Sequence, residues 1–82
     1  MEKTYYCVQL GKFKHEESAK ACEKVFKGRG YETRIVQTGD LFKVQTGEFR
    51  EMKNAYDMLK RLREKGYNDI FISLYRKVED EE

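Results

Sequence analysis

The chain has 82 residues, which is enough for one compact domain with one hydrophobic core and too few for two. Hydrophobic and charged residues each make up 39% of the sequence, and the aromatic residues include six Tyr and five Phe. This composition excludes a disordered chain, which would carry few aromatics, and the absence of Pro excludes a Pro-rich linker. No apolar run approaches the roughly 18 residues needed to span a bilayer, and the first residues do not resemble a secretory signal.

The charge is distributed unevenly along the chain. The net charge is +2, from 17 basic and 15 acidic residues, and residues 79–82 are all acidic. Without them the body carries a net charge of +6. A basic body could favour a polyanion, although most such charge belongs to a solvated surface. The two cysteines and the single His15 show no metal-binding spacing, so we expect free thiols and no metal.

The sequence contains an internal repeat with an offset of 36 positions. Residues 8–13 (VQLGKF) recur as residues 44–49 (VQTGEF). The same offset relates four further pairs, namely Ala19 and Ala55, Lys24 and Lys60, Gly30 and Gly66, and Tyr31 and Tyr67. Each half must complete the core of the other, because a unit of this length cannot bury its apolar face alone.

Each half reads as strand, helix, strand. Alternating aromatic and branched residues predict the strands, and apolar residues spaced by three and four predict the helices. The predicted elements are strand 5–10, helix 16–27, strand 31–37, turn 38–40, strand 41–46, helix 53–64 and strand 68–74. The helix residues that we expect to face the core are Ala19, Cys22, Phe26, Ala55, Met58, Leu59 and Leu62.

The element order βαββαβ predicts an α+β fold of the ferredoxin or RNP type with an internal pseudo-twofold repeat. Both helices should cover one face of a four-stranded antiparallel sheet and leave the other face to solvent. Gly11 and Gly47 follow the first strand of each half, where a bulge or a turn would use a residue without a side chain. Gly28, Gly30 and Gly66 follow the helices, where they suit left-handed caps.

Period-two alternation assigns the strand residues to the two faces. The central-strand residues expected under the helices are Tyr6, Val8, Leu10, Phe42, Val44 and Thr46. Those expected on the open face are Tyr5, Cys7, Gln9, Leu41, Lys43 and Gln45. Matching the repeat places Ile35 and Phe71 inward, and Arg34, Ile70 and Ile72 outward. An outward Ile pair beside Leu41 could be a binding surface, or residues 75–78 could fold over it.

Two segments of the chain resemble the two halves of a SPOR (sporulation-related repeat) domain. Residues 6–13 (YCVQLGKF), a helix and then Gly30 and Tyr31 resemble its opening, and residues 41–49 (LFKVQTGEF), a helix and then Gly66 and Tyr67 resemble its second half. The resemblance spans residues 4–74. It implies the same βαββαβ fold and binding of peptidoglycan, with a preference for glycan strands without stem peptides.

The resemblance also implies a place in the cell. Strands without stem peptides gather at the septal wall, and SPOR domains bring longer envelope proteins to that site. We therefore expect this chain to be one domain of such a protein, at 4–76, followed by an acidic tail at 77–82. As an isolated domain it should be a monomer.

The resemblance further indicates which residues would bind the glycan. The first-strand glutamine of the family falls on Gln9, the position after the glycine falls on Lys12, and two sheet-face aromatic positions fall near Leu41 and Ile70. Neither Leu41 nor Ile70 is aromatic, and Tyr5 on the first strand could supply the missing aromatic ring. Amide and cationic side chains can bind sugar hydroxyl and acyl groups while apolar groups cover the rings. The expected glycan-binding residues are Gln9, Lys12, Tyr5, Leu41, Lys43, Gln45 and Ile70.

Two other classes of function, catalysis and RNA binding, require features that the sequence does not show. Catalysis is not expected, because His15 stands at a helix start with no partner nucleophile in the pattern and the phosphate-loop motif is absent. No cofactor is implied. An RNA recognition motif has the same element order, but it needs exposed aromatics on its first and third strands, and Phe42 is predicted inward. RNA binding and a protein-interaction module remain alternatives for the same face.

Overall fold

The computed structural model describes residues 1–79, arranged as six elements around one four-stranded sheet. These elements are β1 (Glu2–Phe13), α1 (Glu16–Gly28), β2 (Thr33–Thr38), β3 (Leu41–Phe49), α2 (Met52–Glu64) and β4 (Phe71–Val78). All strand pairs are antiparallel and the strand order is β2-β3-β1-β4. The predicted α+β, βαββαβ fold is confirmed. Within this part of the chain, no helix has the length and apolar character needed to cross a membrane.

The hydrophobic core lies between the sheet and the two helices. Val8, Leu10 and Val44 face it from the central strands, and each helix contributes the apolar stripe that its spacing predicts. All seven helix residues expected to face the core are buried or partly buried, namely Ala19, Cys22, Phe26, Ala55, Met58, Leu59 and Leu62. Burying a side chain the size of Val or Leu contributes about 1.5–3 kcal/mol, so these stripes supply the main driving force for packing.

Both helices end in the left-handed glycine cap that the sequence predicts. Gly30 has φ 96° and Gly66 has φ 102°. The backbone N–H of Tyr31 donates to the carbonyl of Phe26 at 3.1 Å, and that of Tyr67 donates to the carbonyl of Leu62 at 3.2 Å. This is the Schellman pattern, which satisfies carbonyls that a helix end leaves free. Gly28, by contrast, is the last residue of α1 itself.

The two halves are joined by reciprocal contacts beyond the helix ends. The Arg29 guanidinium donates to the Tyr67 hydroxyl, and Lys65 Nζ donates to the Tyr31 hydroxyl at 2.9 Å. Each cation also lies over the same tyrosine ring, at 5.3 Å and 5.4 Å from the centroid. Because Arg29 and Lys65 are repeat equivalents, as are the two tyrosines, each half holds the tyrosine of the other.

A β-bulge interrupts each central strand at the repeat glycine, so of the bulge and the turn that the sequence allowed at these positions, the bulge is the one that forms. The β1–β3 register shifts once between Gln9 and Gly11, and again opposite Gly47. The first bulge turns Leu10 and Gly11 to the same side of the sheet, because one residue is inserted into the alternation. As a result Lys12 lies directly opposite Lys43, on the face away from the helices.

The inward and outward assignment for the last strand was wrong. Ile70, predicted outward, is buried in the core with 4% of its surface exposed, and Ile72 packs against that core. Phe71, predicted inward, is 51% exposed. The register gives the reason. Ile35 lies opposite Val44 and Ile72 opposite Val8, so the repeat offset is 37 at this strand, and a slip of one residue reverses every side chain.

The strands also reach further than the pattern predicted. β1 begins at Glu2 and β4 ends at Val78, and these two residues are paired. Residues 75–78 therefore continue the edge strand and do not fold over the sheet. The paired residues extend beyond 4–76 at both ends. Of the acidic stretch, Glu79 belongs to the described part and residues 80–82 lie outside it.

Gly47→Ala should destabilise the protein by about 1–3 kcal/mol. Gly47 has φ 88°, and a Cβ there would lie 2.6 Å from Phe49 Cε2 and 3.2 Å from Met58 Sδ. Both backbone strain and overpacking oppose the added methyl group. The free energy of unfolding from chemical denaturation measures this loss.

Gly28→Ala is the matched control for that substitution. The same methyl group is added, but no heavy atom lies within 4 Å and φ is not positive. Since Ala is favoured over Gly in a helix by roughly 0.5–1 kcal/mol, stability should be unchanged or should rise. Equal losses in both variants would contradict the steric argument at Gly47.

Candidate functional site

The sheet face opposite the helices is the candidate site, and we call it the open face. Its residues follow from the strand register, because residues paired across strands share a face. They are Lys3, Tyr5, Cys7, Gln9 and Lys12 on β1, Arg34, Val36 and Thr38 on β2, Leu41, Lys43, Gln45 and Glu48 on β3, and Phe71, Ser73, Tyr75 and Lys77 on β4.

A stacked pair of side chains crosses the middle of the open face. Arg34 on β2 places its guanidinium carbon 3.7 Å from the centroid of the Tyr75 ring on β4. Because β3 and β1 lie between these two edge strands, the side chains meet above the central strands. Arg34 Nη2 also donates to the Gly47 carbonyl at 2.7 Å, which fixes the guanidinium. We call this pair the Arg34–Tyr75 bridge.

The residues near the bridge on the central strands are almost inaccessible. The exposed fractions are 7% for Tyr5, 0% for Cys7, 3% for Gln9 and 2% for Gln45. Tyr5, Gln9 and Gln45 therefore lie on the predicted face but are buried there, whereas the sequence indicated side chains open to solvent. The Gln45 Oε1 and Arg34 Nε atoms are buried without a hydrogen-bond partner in residues 1–79.

At one end of the open face the charges compensate one another. The Tyr5 hydroxyl donates to Glu79 Oε1 at 2.5 Å, and Lys3 Nζ lies 3.2 Å from Glu79 Oε2. Lys77 Nζ lies 3.4 Å from Glu48 Oε1. The hydrogen bond from Tyr5 lowers the pKa of Glu79, and the same bond raises the pKa of the tyrosine. This end is close to neutral and well bonded.

The opposite end is cationic and partly apolar, and we call it the cationic end. Lys12 on β1 and Lys43 on β3 are directly opposite each other. Val36 on β2, the other neighbour of β3, also pairs with Lys43 and lies on the same face. Neither lysine forms an ion pair with any residue of the described chain. A groove of about 360 Å³ adjoins this end, and its lining residues are Val36, Thr38, Lys43, Leu74, Tyr75 and Arg76.

The structure therefore divides the predicted site residues into three groups. Lys12 is exposed and Leu41 and Lys43 are partly exposed, at the cationic end. Tyr5, Gln9 and Gln45 lie on the same face but are covered. Ile70 is excluded, because it lies in the core on the helix side.

Sequence reasoning missed the Arg34–Tyr75 bridge. Arg34 was assigned to the open face, but its partner fell beyond the predicted end of the last strand. The alternation of Phe71, Ser73 and Tyr75 would have placed Tyr75 on this face only if β4 had been extended to Val78 and its inward and outward faces had also been assigned the other way round.

The two cysteines lie on opposite sides of the sheet, Cys7 on the open face and Cys22 on α1, and both thiols are free. Cys7 lies near the bridge, and its Sγ is 3.5 Å from the Ser73 carbonyl oxygen. Burial raises the pKa of the Cys7 thiol, and the nearby Arg34 guanidinium opposes that rise. Burial also raises the pKa of Cys22, which packs against the helix-side core. Both thiols should therefore react slowly in the folded protein.

Tyr75→Ala should raise the labelling rate of Cys7 by roughly an order of magnitude, because it removes the aromatic half of the Arg34–Tyr75 bridge beside the buried thiol. The measurement is alkylation of the native protein in a Cys22→Ser background, followed by mass spectrometry. Tyr56→Ala is the matched control, since Tyr56 is an exposed tyrosine of α2. A Cys7 rate that does not differ between the two variants would show that the bridge does not cover the thiol.

Comparison with known proteins connects this geometry to a family. The family model of the SPOR domain matches residues 2–75. The solution structure of the peptidoglycan binding domain of the B. subtilis cell wall lytic enzyme CwlC superposes with a TM-score of 0.73. It is 27% identical, and the alignment covers 89% of this chain and 91% of that chain. No curated protein sequence matches significantly. The family match extends from the first residue of β1 to the tyrosine of the bridge, and the chain belongs to the SPOR domain family.

Proposed function

We propose that the domain binds the glycan strands of peptidoglycan through the cationic end of the open face and catalyses no reaction. The observation that carries this proposal is the match to the SPOR family and to a solved domain that binds peptidoglycan. By this function the domain acts at the cell wall, in the envelope.

The groove at the cationic end has the chemistry that a sugar polymer needs. Pyranose rings have apolar faces and polar rims, so they favour apolar or aromatic groups flanked by hydrogen-bond donors. Val36 and Tyr75 supply the apolar surface of the groove, and Lys43 supplies a donor. Lys12 adds a second ammonium directly opposite Lys43.

The paired lysines support the preference for strands without stem peptides. Their Cβ atoms are expected to lie about 4.5–5.5 Å apart, and like charges at that spacing repel each other unless an anion lies between them. When an amidase removes the stem peptide from N-acetylmuramic acid, it leaves a free lactyl carboxylate on the sugar. We infer that this carboxylate binds between Lys12 and Lys43.

This preference would also set the place of action. Strands without stem peptides arise where the septal wall is split, so a domain that prefers them carries its parent protein to the septum. The domain would do so as a monomer, because the groove is complete within one chain.

The open face is poorly suited to RNA. Base stacking needs exposed aromatic rings on the two central strands. Tyr5 on β1 is buried, and Phe42 on β3 lies on the helix side with the core. A discrete protein partner has no comparable structural support.

Lys43→Glu and Lys12→Glu should each weaken binding to amidase-treated sacculi roughly tenfold, since each replaces an attraction for the carboxylate with a repulsion. Co-sedimentation with purified sacculi at low salt measures the affinity. Lys24→Glu gives the same charge change on the exposed surface of α1 and should bind like wild type. Equal weakening by all three variants would indicate non-specific attraction to the wall and not a site on the open face.

Amidase treatment should increase wild-type binding to sacculi severalfold, and the increase should shrink as salt is added, because salt screens the carboxylate–lysine attraction. Binding that is unchanged after the stem peptides are removed would contradict the preference. Folded protein that binds neither preparation would contradict glycan binding altogether.

A further inference from the structure

We propose that Arg34 and Gln45 form a subsite for the acetamido group of an N-acetylated amino sugar. The inference rests on the proposed function and deepens it, because it assigns the chemical group that the centre of the open face recognises. Neither residue belongs to the cationic end, so the subsite is separate from the lysine pair.

Two buried polar atoms without partners carry this inference. Within residues 1–79 only three buried side-chain polar atoms lack a hydrogen bond, namely Thr33 Oγ1, Arg34 Nε and Gln45 Oε1. Gln45 is 2% exposed. Buried polar groups in folded proteins are nearly always hydrogen-bonded, so each exception needs an explanation.

The two residues of the subsite are neighbours, and their unpaired atoms have opposite hydrogen-bonding roles. Arg34 and Gln45 are direct partners across β2 and β3, and both lie on the open face. Arg34 Nε can only donate, and Gln45 Oε1 can only accept. Nη2 of the same guanidinium is occupied by the Gly47 carbonyl, so the orientation of Nε is fixed before a ligand arrives.

An acetamido group matches this pair. Its carbonyl oxygen would accept from Arg34 Nε, and its N–H would donate to Gln45 Oε1. A carboxylate matches less well, because it has no donor for Gln45 Oε1. The acetyl methyl group would meet the apolar side of the groove, where Val36 and Tyr75 lie.

Binding at this subsite requires the Tyr75 ring to move. The ring is stacked on the Arg34 guanidinium and adjoins the groove of about 360 Å³. Rotation about the side-chain bonds of Tyr75 takes the ring off the guanidinium and lets it lie against the sugar, so an aromatic contact is kept in both states.

The test is a double comparison of protein and ligand. The variant is Gln45→Met, which keeps the length of the side chain and removes the amide group, including its Oε1 acceptor. The ligands are soluble glycan fragments without stem peptides, either N-acetylated, chemically de-N-acetylated, or de-N-acetylated and then re-acetylated. Affinities come from isothermal titration calorimetry, and the general effect of the added ammonium groups cancels between wild type and variant.

We expect Gln45→Met to bind the N-acetylated and re-acetylated fragments roughly tenfold more weakly than wild type, and to bind the de-N-acetylated fragment as wild type does. Its stability should not fall, since an unpaired buried acceptor is removed. Gln37→Met is the control, because Gln37 lies on β2 outside the open face. In ¹H–¹⁵N spectra, the Arg34 Nε–H resonance should shift on adding the N-acetylated fragment.

The outcomes separate this inference from the proposed function. If wild type binds the fragments and Gln45→Met binds the acetylated ones equally well, the acetamido subsite is overturned while glycan binding stands. Equal loss in Gln45→Met for acetylated and de-N-acetylated fragments also overturns it, since the residue then acts without regard to the acetyl group. If folded wild type binds none of the fragments, both proposals fail.

Discussion

The fold depends on two α-carbons that carry no side chain. Where a Cβ of Gly11 would stand, the Phe13 ring comes within 2.7 Å, and at Gly47 the Phe49 ring comes within 2.6 Å. Each ring can lie against its glycine only because neither position carries a Cβ. The bulges at the two glycines change the alternation of both central strands. One bulge brings Lys12 to the open face, and the carbonyl at the other holds Arg34. The geometry of the site thus follows from the packing of two aromatic rings on the opposite side of the sheet.

The features that the sequence predicted correctly are those that local patterns determine. Every helix residue that the spacing placed in the core is buried or partly buried, because residues three or four positions apart lie on the same side of a helix. The repeat indicated the positions of both bulges and both helix caps, because a glycine that recurs at an equivalent position is required there for the same backbone conformation or close packing. The faces of β1 and β3 could be assigned for the same reason up to each bulge.

The features that the sequence did not predict depend on contacts between distant residues. The loop before β4 is one residue longer than its repeat equivalent, so the inward and outward directions of Ile70 and Phe71 are the reverse of those predicted. The sequence of the strand itself does not indicate this shift. The amides of Gln9 and Gln45 were expected in solvent. They are buried, because Arg34 and Tyr75 meet above this face of the sheet from its opposite edges. These two residues are 41 positions apart in the chain. Alternation along a strand says which face a side chain takes, and it says nothing of what lies over that face.

The reciprocal tyrosine contacts make the domain equivalent to a symmetric dimer whose two subunits have been fused into one chain. In a true dimer the two ends of the open face would be identical. Here Lys12 at one end is the repeat equivalent of Glu48 at the other, so fusion has allowed one end to be cationic while the other is close to neutral. A glycan strand also has two different ends, reducing and non-reducing. A symmetric face would accept such a polymer in either direction, whereas this face has the polarity to hold it in one.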